Sequence, residues 1–330
     1  MTVLSMLPLS IPSPPLSWAS FTIPLFGLHL TVRTYALCIL AGIIVAAAWS
    51  SRRLSKRGAE PGVILDIVLW AVPLGIIVAR FWHVFTHPHD YFYPGANLLN
   101  VFYIWDGGNA IFGAILGGAV GAFIACRIAG LRFWVFADAL APAMLVAQAI
   151  GRLGNYANNE LFGLPTNLPW GLQISSGNPA FPAGLPSGTL FQPLFLYEII
   201  WDVLGAVVIV AIERRHAMHW GIGIGFYGLW YGAGRSFLEM IRIDPSEYSF
   251  LSIPFNAWAA ILAAVLGIVI MAVQHRRHPG AEPGAYLPGR EWIGKHTLPD
   301  SKQNDWEEGT EPLGPLPIAD DDQQHITSGA

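Results

Sequence analysis

The segment FWVFADALAPAMLVAQAI, Phe133 to Ile150, runs without a break into GRLGNYANNELFG, Gly151 to Gly163. The first part is apolar over a length able to cross about 30 Å of hydrocarbon. The second places an arginine, three asparagines and a glutamate at its end. Ionisable and polar groups at such a boundary are costly unless they have partners, so the run reads as a site as well as the end of a span. Counting this span as 133–151, similar windows fall at 33–50, 62–86, 107–127, 191–212, 220–238 and 254–274. The chain is therefore expected to be an all-α polytopic membrane protein with seven transmembrane helices. Composition agrees: 53% of residues are hydrophobic and 12% charged, against about 25% charged in soluble domains.

Basic residues in short loops set the orientation, because such loops stay cytoplasmic. Arg52, Arg53, Lys56 and Arg57 follow the first span, Arg127 and Arg132 separate the third and fourth, and Arg214 and Arg215 follow the fifth. Arg276 and Arg277 follow the last. Between these, loops 87–106 and 152–190 contain only Arg152. The N-terminus is expected outside and the C-terminus in the cytoplasm, with 152–190 forming a small extracytoplasmic head. Residues 1–32 carry no Lys or Arg and so lack the basic start of a cleavable signal peptide; their IPSPP stretch reads as an arm at the outer surface. The membrane domain is placed at 33–274. Residues 275–330 are expected to be an acidic, disordered cytoplasmic tail. Cys38 and Cys126 fall in or at the end of spans and imply no disulfide framework.

Setting aside loop and tail residues leaves five arginines, Arg33, Arg80, Arg152, Arg235 and Arg242, each inside a span or toward its outer end. A charge at a helix centre costs about 2.5–3.5 kcal/mol on insertion scales, so each needs a partner or a polar cavity. Positions three, four and seven apart share a helix face. On that spacing Tyr231, Arg235, Glu239 and Arg242 form one polar stripe, Arg152, Asn155 and Asn159 a second, and Arg80 and His83 a third. Asp138, Glu198 and Asp202 are available as anionic partners. The bland account makes all of these interhelical salt bridges. The outer side nevertheless offers few acids, so Arg152 and Arg235 are expected to meet an anionic ligand, the commonest being a lipid phosphate, which guanidinium binds through paired hydrogen bonds.

The run at 151–163 resembles the signature of the bacterial prolipoprotein diacylglyceryl transferase family, with Tyr156 where a phenylalanine is usual. Arg33-Thr34-Tyr35, Ala79-Arg80-Phe81-Trp82-His83, Trp105-Asp106-Gly107-Gly108, Ala137-Asp138, Phe191 to Glu198 and Tyr231 to Arg235 are similar to further family blocks, in the family's order. The resemblance covers roughly residues 20–275 and leaves out the acidic tail. It implies transfer of the diacylglyceryl group of phosphatidylglycerol to the lipobox cysteine of prolipoproteins, with release of glycerol phosphate, in the bacterial cytoplasmic membrane and toward its outer side.

The resemblance further implies that Arg152 binds phosphatidylglycerol and that Arg235 with Tyr231 forms a second essential element. Asn155, Asn158 and Glu160 are added as groups orienting the headgroup, with Arg80 and Tyr35 as further substrate-binding residues. No cofactor is needed, no cluster reads as a metal site, and no nucleic-acid partner is expected. One departure stands out: Phe112-Gly113-Ala114 occupies the block where many members have His-Gly-Gly, the histidine being a proposed base for the acceptor thiol. Phenylalanine accepts no proton. Three routes stay open: His83 as base, Glu160 as base, or an arginine-rich pocket that lowers the thiol's own pKa. His83 also has an ordinary reading, as a hydrogen-bonded core histidine. A transporter or lipid flippase is the competing reading of glycine-rich helices with intramembrane charges, but no inverted repeat supports it.

Overall fold

A computed structural model describes residues 10–25, 28–216, 218–243 and 249–292. The chain opens with Ile11 to Pro15 in an extended stretch, then an antiparallel hairpin of β1 (Ser20–Leu25) and β2 (Leu28–Arg33). Phe21 and Ile23 are exposed along one face of this hairpin, and Val32 pairs with Phe21 on the same face. Seven helices follow among the described residues: α1 (Thr34–Lys56), α2 (Val63–Thr86), α3 (Ile111–Ala129), α4 (Phe133–Ala157), α5 (Leu194–Arg215), α6 (Ile222–Met240) and α7 (Phe255–Arg277). Between α4 and α5 lies the short pair β3 (Leu172–Gln173) and β4 (Leu190–Phe191); between α6 and α7, β5 (Ser249–Phe250) and β6 (Ile253–Pro254).

Six of the helices are long and apolar enough to cross a membrane. The exception is α6, whose Arg235, Glu239 and six-glycine neighbourhood lower its mean hydropathy. It does not need an apolar surface all round, because it packs against α4, α5 and α7. Each predicted window holds one helix. The largest difference is at α4, which carries its helical turns on through Gly151 to Ala157, so the first residues of the polar run stand on a helix and not in a loop.

Small residues decide which helices pair. A side chain at Gly113, Gly117 or Gly121 of α3 would run into the backbone of α2 at Val78, Leu74 or Trp70. Gly232 of α6 sits in the same way on Ala260 and Ala264 of α7, and Gly225 and Gly228 sit against Gly267. Such stripes let backbones approach closely where lipid supplies no hydrophobic drive between helices. Between α5 and α6, Gly205 and Gly234 make room for Trp230 and Trp201. These rings stack at 4.6 Å, and each indole N–H donates to the other's carbonyl at 3.0 Å.

At one end of the bundle the basic loops are tied down. Arg53 and Arg57 grip Glu213 at 2.7 and 2.8 Å. Buried Asp138 of α4 accepts from the backbone N–H groups of Gly221 and Ile224 at 2.8 and 3.0 Å, capping α6 across the helix boundary. Asp138 is thus a helix cap and not a partner of the out-of-place arginines. The segment after α7, expected to begin a disordered tail, folds back along this end. The Arg132 N–H donates to Ala285, the Leu287 N–H to Gly130 and the Glu60 N–H to the Tyr286 hydroxyl, while Arg290 covers the last carbonyls of α3. These bonds satisfy helix-end groups that a disordered chain would leave to water. Residues 293–330, the rest of the predicted tail, lie outside the described residues. A buried cluster including Leu54, Ile67, Cys126, Leu131 and Phe136 joins α2 and α3 to α1 and α4 at the same end.

Candidate functional site

The opposite end collects the N-termini of α1, α3, α5 and α7 and the C-termini of α2, α4 and α6, since successive helices run antiparallel. Here α4 stops abruptly. Asn158 caps it, and Asn159 and then Leu161 take positive φ values of 53° and 58°. Asparagine tolerates the left-handed region; leucine there is strained. The reversal returns Glu160 over the helix end, where its Oε1 accepts from both Asn155 Nδ2 and Asn158 Nδ2 at 3.1 Å. Asn155 Oδ1 in turn accepts from Arg152 Nη1 at 3.1 Å.

From Arg152 the network crosses to α5 and α6. Its Nε pairs with Glu198 Oε2, while Glu198 Oε1 meets Arg235 Nη1 at 2.8 Å. Arg235 Nη2 reaches Glu239 Oε2 at 2.5 Å, one helical turn on. Glu239, 1% exposed, also faces Arg242 at 3.7 Å and accepts from Asn256 of α7 at 3.1 Å. Asn158, Glu160, Asn155, Arg152, Glu198, Arg235 and Glu239 thus form one continuous polar chain across three helices, with Asn256 linking a fourth. Asp202, 4% exposed, lies one turn beyond Glu198 on α5.

The expectation that the outer side offers few acids to Arg152 and Arg235 is corrected by this arrangement. Glu198 begins α5 at the same end at which α4 and α6 finish, so antiparallel packing brings one carboxylate between two guanidiniums. Arg152, Arg235 and Arg242 are matched by Glu160, Glu198 and Glu239. Glu198 and Glu239 were not among the residues the sequence picked out as the site. The signal available was the i, i+4 spacing of Arg235 and Glu239; nothing in the sequence gives the register that sets Glu198 between its two partners.

The other candidates are distributed as follows. Tyr231 is half-buried one turn before Arg235, its ring parallel to that of Tyr227 at 5.9 Å; Tyr227 is held by Gln148 at 3.0 Å. Tyr35, first turn of α1, packs its ring and Cα against Gly154 of the signature, where a side chain would not fit. Arg80, expected at the headgroup, is 4% exposed and gives its guanidinium to the carbonyls of Asn100, Val101, Gly107 and Gly108, with its carbon 5.0 Å above the Tyr91 ring. It pins the loop that precedes α3. His83 stacks on His87 at 4.3 Å and meets Tyr91 edge-on. Among the described residues neither Arg80 nor His83 bonds to the Arg152 network. Phe112, where a histidine is often found, lies edge to face with Phe255 at 6.5 Å.

Residues 158–193 make a compact head on this end. Phe162, Leu172, Ile174 and Phe191 form its core, and the Leu164 N–H donates to Ile241 and the Phe162 carbonyl accepts from Ile243 in the chain leaving α6. The Ile11–Pro15 stretch is strapped across it: Ile11 pairs with Leu172, Tyr156 donates to the Pro12 carbonyl at 2.9 Å, and Asn159 holds Ser13 and Pro14 at 2.7 and 3.0 Å. Buried Asn159 is therefore a structural clamp, not part of the Arg152 face. Among the described residues no group of three or more His, Cys, Asp or Glu side chains could hold a metal ion.

The sequence model of the prolipoprotein diacylglyceryl transferase family matches residues 24–273. A protein of Leifsonia xyli subsp. xyli named phosphatidylglycerol--prolipoprotein diacylglyceryl transferase is 62% identical over 321 residues, covering 96% of this chain and 93% of its own length. A Bifidobacterium longum protein of that name is 42% identical over 84% of the chain and 89% of its own length, and a Streptomyces coelicolor relative is 41% identical over 78% and 80%. With the signature residues gathered at one end of the bundle and a match over most of its length, the chain belongs to the prolipoprotein diacylglyceryl transferase family.

Proposed function

We propose that this protein transfers the diacylglyceryl group of phosphatidylglycerol to the lipobox cysteine thiol of prolipoproteins, the first step of lipoprotein maturation, at the extracytoplasmic side of a bacterial cytoplasmic membrane. The observation that carries the reading is the part-buried Arg152–Glu198–Arg235 bridge on the family's own signature. The thiol sulfur forms a bond to the glyceryl carbon, the bond from that carbon to the phosphate oxygen breaks, and glycerol phosphate leaves with the electron pair. Charge grows on the departing phosphate, and guanidiniums already aimed at it would lower the barrier by acting more strongly on the transition state than on the ground state.

All seven helices cross the membrane in this reading, α6 with its polar stripe turned toward its neighbours. Arg53, Arg57, Arg132 and Arg290 gather at the end away from the Arg152 network. The positive-inside rule then favours a cytoplasmic position for that end and an outer position for the network and head. Arg152 and Arg235 would bind phosphate, Asn155 and Asn158 would orient the headgroup through Glu160, and Tyr231 and Tyr35 would line the site. Arg80 would act at one remove, by holding the 98–108 loop. For the thiol proton, Glu160 is favoured over His83: its Oε1 takes both asparagines, Oε2 has no protein partner among the described residues, and it belongs to the network that His83 does not touch.

The test uses purified protein, phosphatidylglycerol and a lipobox peptide, reading release of glycerol phosphate. The parent is expected to turn over, and Arg152→Ala to lose activity while remaining folded. Turnover by Arg152→Ala at the parental rate would remove that residue from the site; translocation of lipid without glycerol phosphate release would favour the flippase reading.

A further inference from the structure

Each of the two central arginines is held from two sides. Arg152 has Asn155 on Nη1 and Glu198 on Nε; Arg235 has Glu239 on Nη2 and Glu198 on Nη1. Asn155 is fixed by Glu160, and Glu239 by Asn256 and Arg242. Remove Glu198 from between the guanidiniums and each keeps the anchor on its own side. The position Glu198 fills is thus one that another two-oxygen anion could take without disordering the arginines. Among the described residues Arg152 Nη2 and Arg235 Nε have no protein partner, so donors for further oxygens are present.

We infer that Glu198 is a resident counter-anion which the phosphate of the lipid donor displaces, making it a positioning residue for Arg152 and Arg235. Carboxylate and phosphate present oxygen pairs of similar geometry to a guanidinium fork. Binding is then an exchange of one anion for another: the two charges are never left bare in a poorly solvated site, which would be strongly destabilising. Competition from Glu198 weakens ground-state binding of the donor while keeping the donors pre-aimed, which is the division of effort that favours turnover over affinity. The inference rests on the reading of the site as a phosphate site.

Two variants and one probe test it. Glu198→Gln removes the competing charge; Asp202→Asn changes a carboxyl one turn away that makes no salt bridge among the described residues, although it feels the charges of Arg152 and Glu198. Affinity for glycerol phosphate is measured by calorimetry, with inorganic phosphate in a parallel arm, and KM for phosphatidylglycerol and kcat are measured with the lipobox peptide. Glu198→Gln is expected to bind glycerol phosphate about tenfold more tightly than the parent, a change of about 1.4 kcal/mol, with KM lowered and kcat not raised. Asp202→Asn is expected to move the affinity less than threefold. Tightening confined to inorganic phosphate would deny that the glycerol-bearing anion takes the site. Unchanged or weaker binding of glycerol phosphate by Glu198→Gln, or equal tightening in Asp202→Asn, overturns the inference. Should Glu198→Gln fail to fold, Glu198→Asp draws the carboxylate back by one methylene and is expected to tighten binding by a smaller factor; no change there overturns it equally. A parent without turnover that still shows the Glu198→Gln tightening would sink the transferase reading and leave the counter-anion intact, whereas an active parent with no tightening would do the reverse.

Discussion

Arg235→Lys separates charge from geometry at the site. The guanidinium meets two carboxylates at once, Glu198 at 2.8 Å through Nη1 and Glu239 at 2.5 Å through Nη2, and the three side chains are 15%, 10% and 0% exposed. So little exposure leaves the contacts weakly screened. A lysine keeps the unit charge but ends in one compact ammonium that cannot span both acids with the same planar fork. One charge-assisted hydrogen bond is therefore lost or stretched, worth about 1.5–3 kcal/mol to the folded state. If the same fork holds the departing phosphate, removing one oriented donor costs about 2.7–4 kcal/mol of transition-state stabilisation, or roughly 10²–10³ in kcat. The assay is glycerol phosphate release at saturating phosphatidylglycerol and lipobox peptide, alongside thermal unfolding in the same detergent. Lysine is expected to unfold between the parent and Arg235→Ala, because alanine takes one partner from each of two buried acids, leaving Glu198 with Arg152 and Glu239 with Arg242 and Asn256. A kcat within fivefold of the parent, in a variant that folds normally, would refute the reasoning: charge at this position would then suffice and the fork would be incidental.

Two further outcomes follow from the geometry. Asp138→Ala strips the cap from α6 and leaves the Gly221 and Ile224 N–H groups unsatisfied, so a loss of about 1–2 kcal/mol should appear in thermal unfolding, while turnover well below the melting range should stay at the parental level because the cap lies at the other end of the bundle. For the thiol base, pH–rate profiles of Glu160→Gln and His83→Gln are expected to differ: the acidic limb disappears in the first and persists in the second, and the reverse result would move the role to the histidine pair on α2.

The helices were legible because hydrocarbon imposes one strict demand, a run of about twenty apolar residues with its backbone bonds satisfied internally. Each predicted window holds a helix for that reason, and even α6 was visible through its glycines and flanks. The arginines were legible by exception, since a charge in such a run needs an account. Candidate acids could be named, but which arginine each meets could not. Spacing along one helix put Arg235 over Glu239, but whether Glu198 of α5 reaches Arg152, Arg235 or neither depends on the sliding register between helices. That register is set by contacts such as Trp201 and Trp230 in the gaps left by Gly234 and Gly205. Arg80 shows the same limit from the other side: its partners are four backbone carbonyls, groups every residue owns, so no side-chain pattern could announce them.

The segment from His278 to Trp292 shows how composition misleads at a helix end. Its prolines, glycines and acids suggest a chain with too little apolar surface to order itself, yet Tyr286 and Ala285 are buried and the segment's backbone completes the ends of α3 and α4. Order there comes from the neighbours, whose unpaired N–H and C=O groups need partners. The network at the opposite end obeys the same requirement with charges in place of peptide groups. The acceptors that fix Arg152 and Arg235 all come from the protein, and the one shared by both, Glu198, is the one whose exchange for phosphate leaves the rest in place.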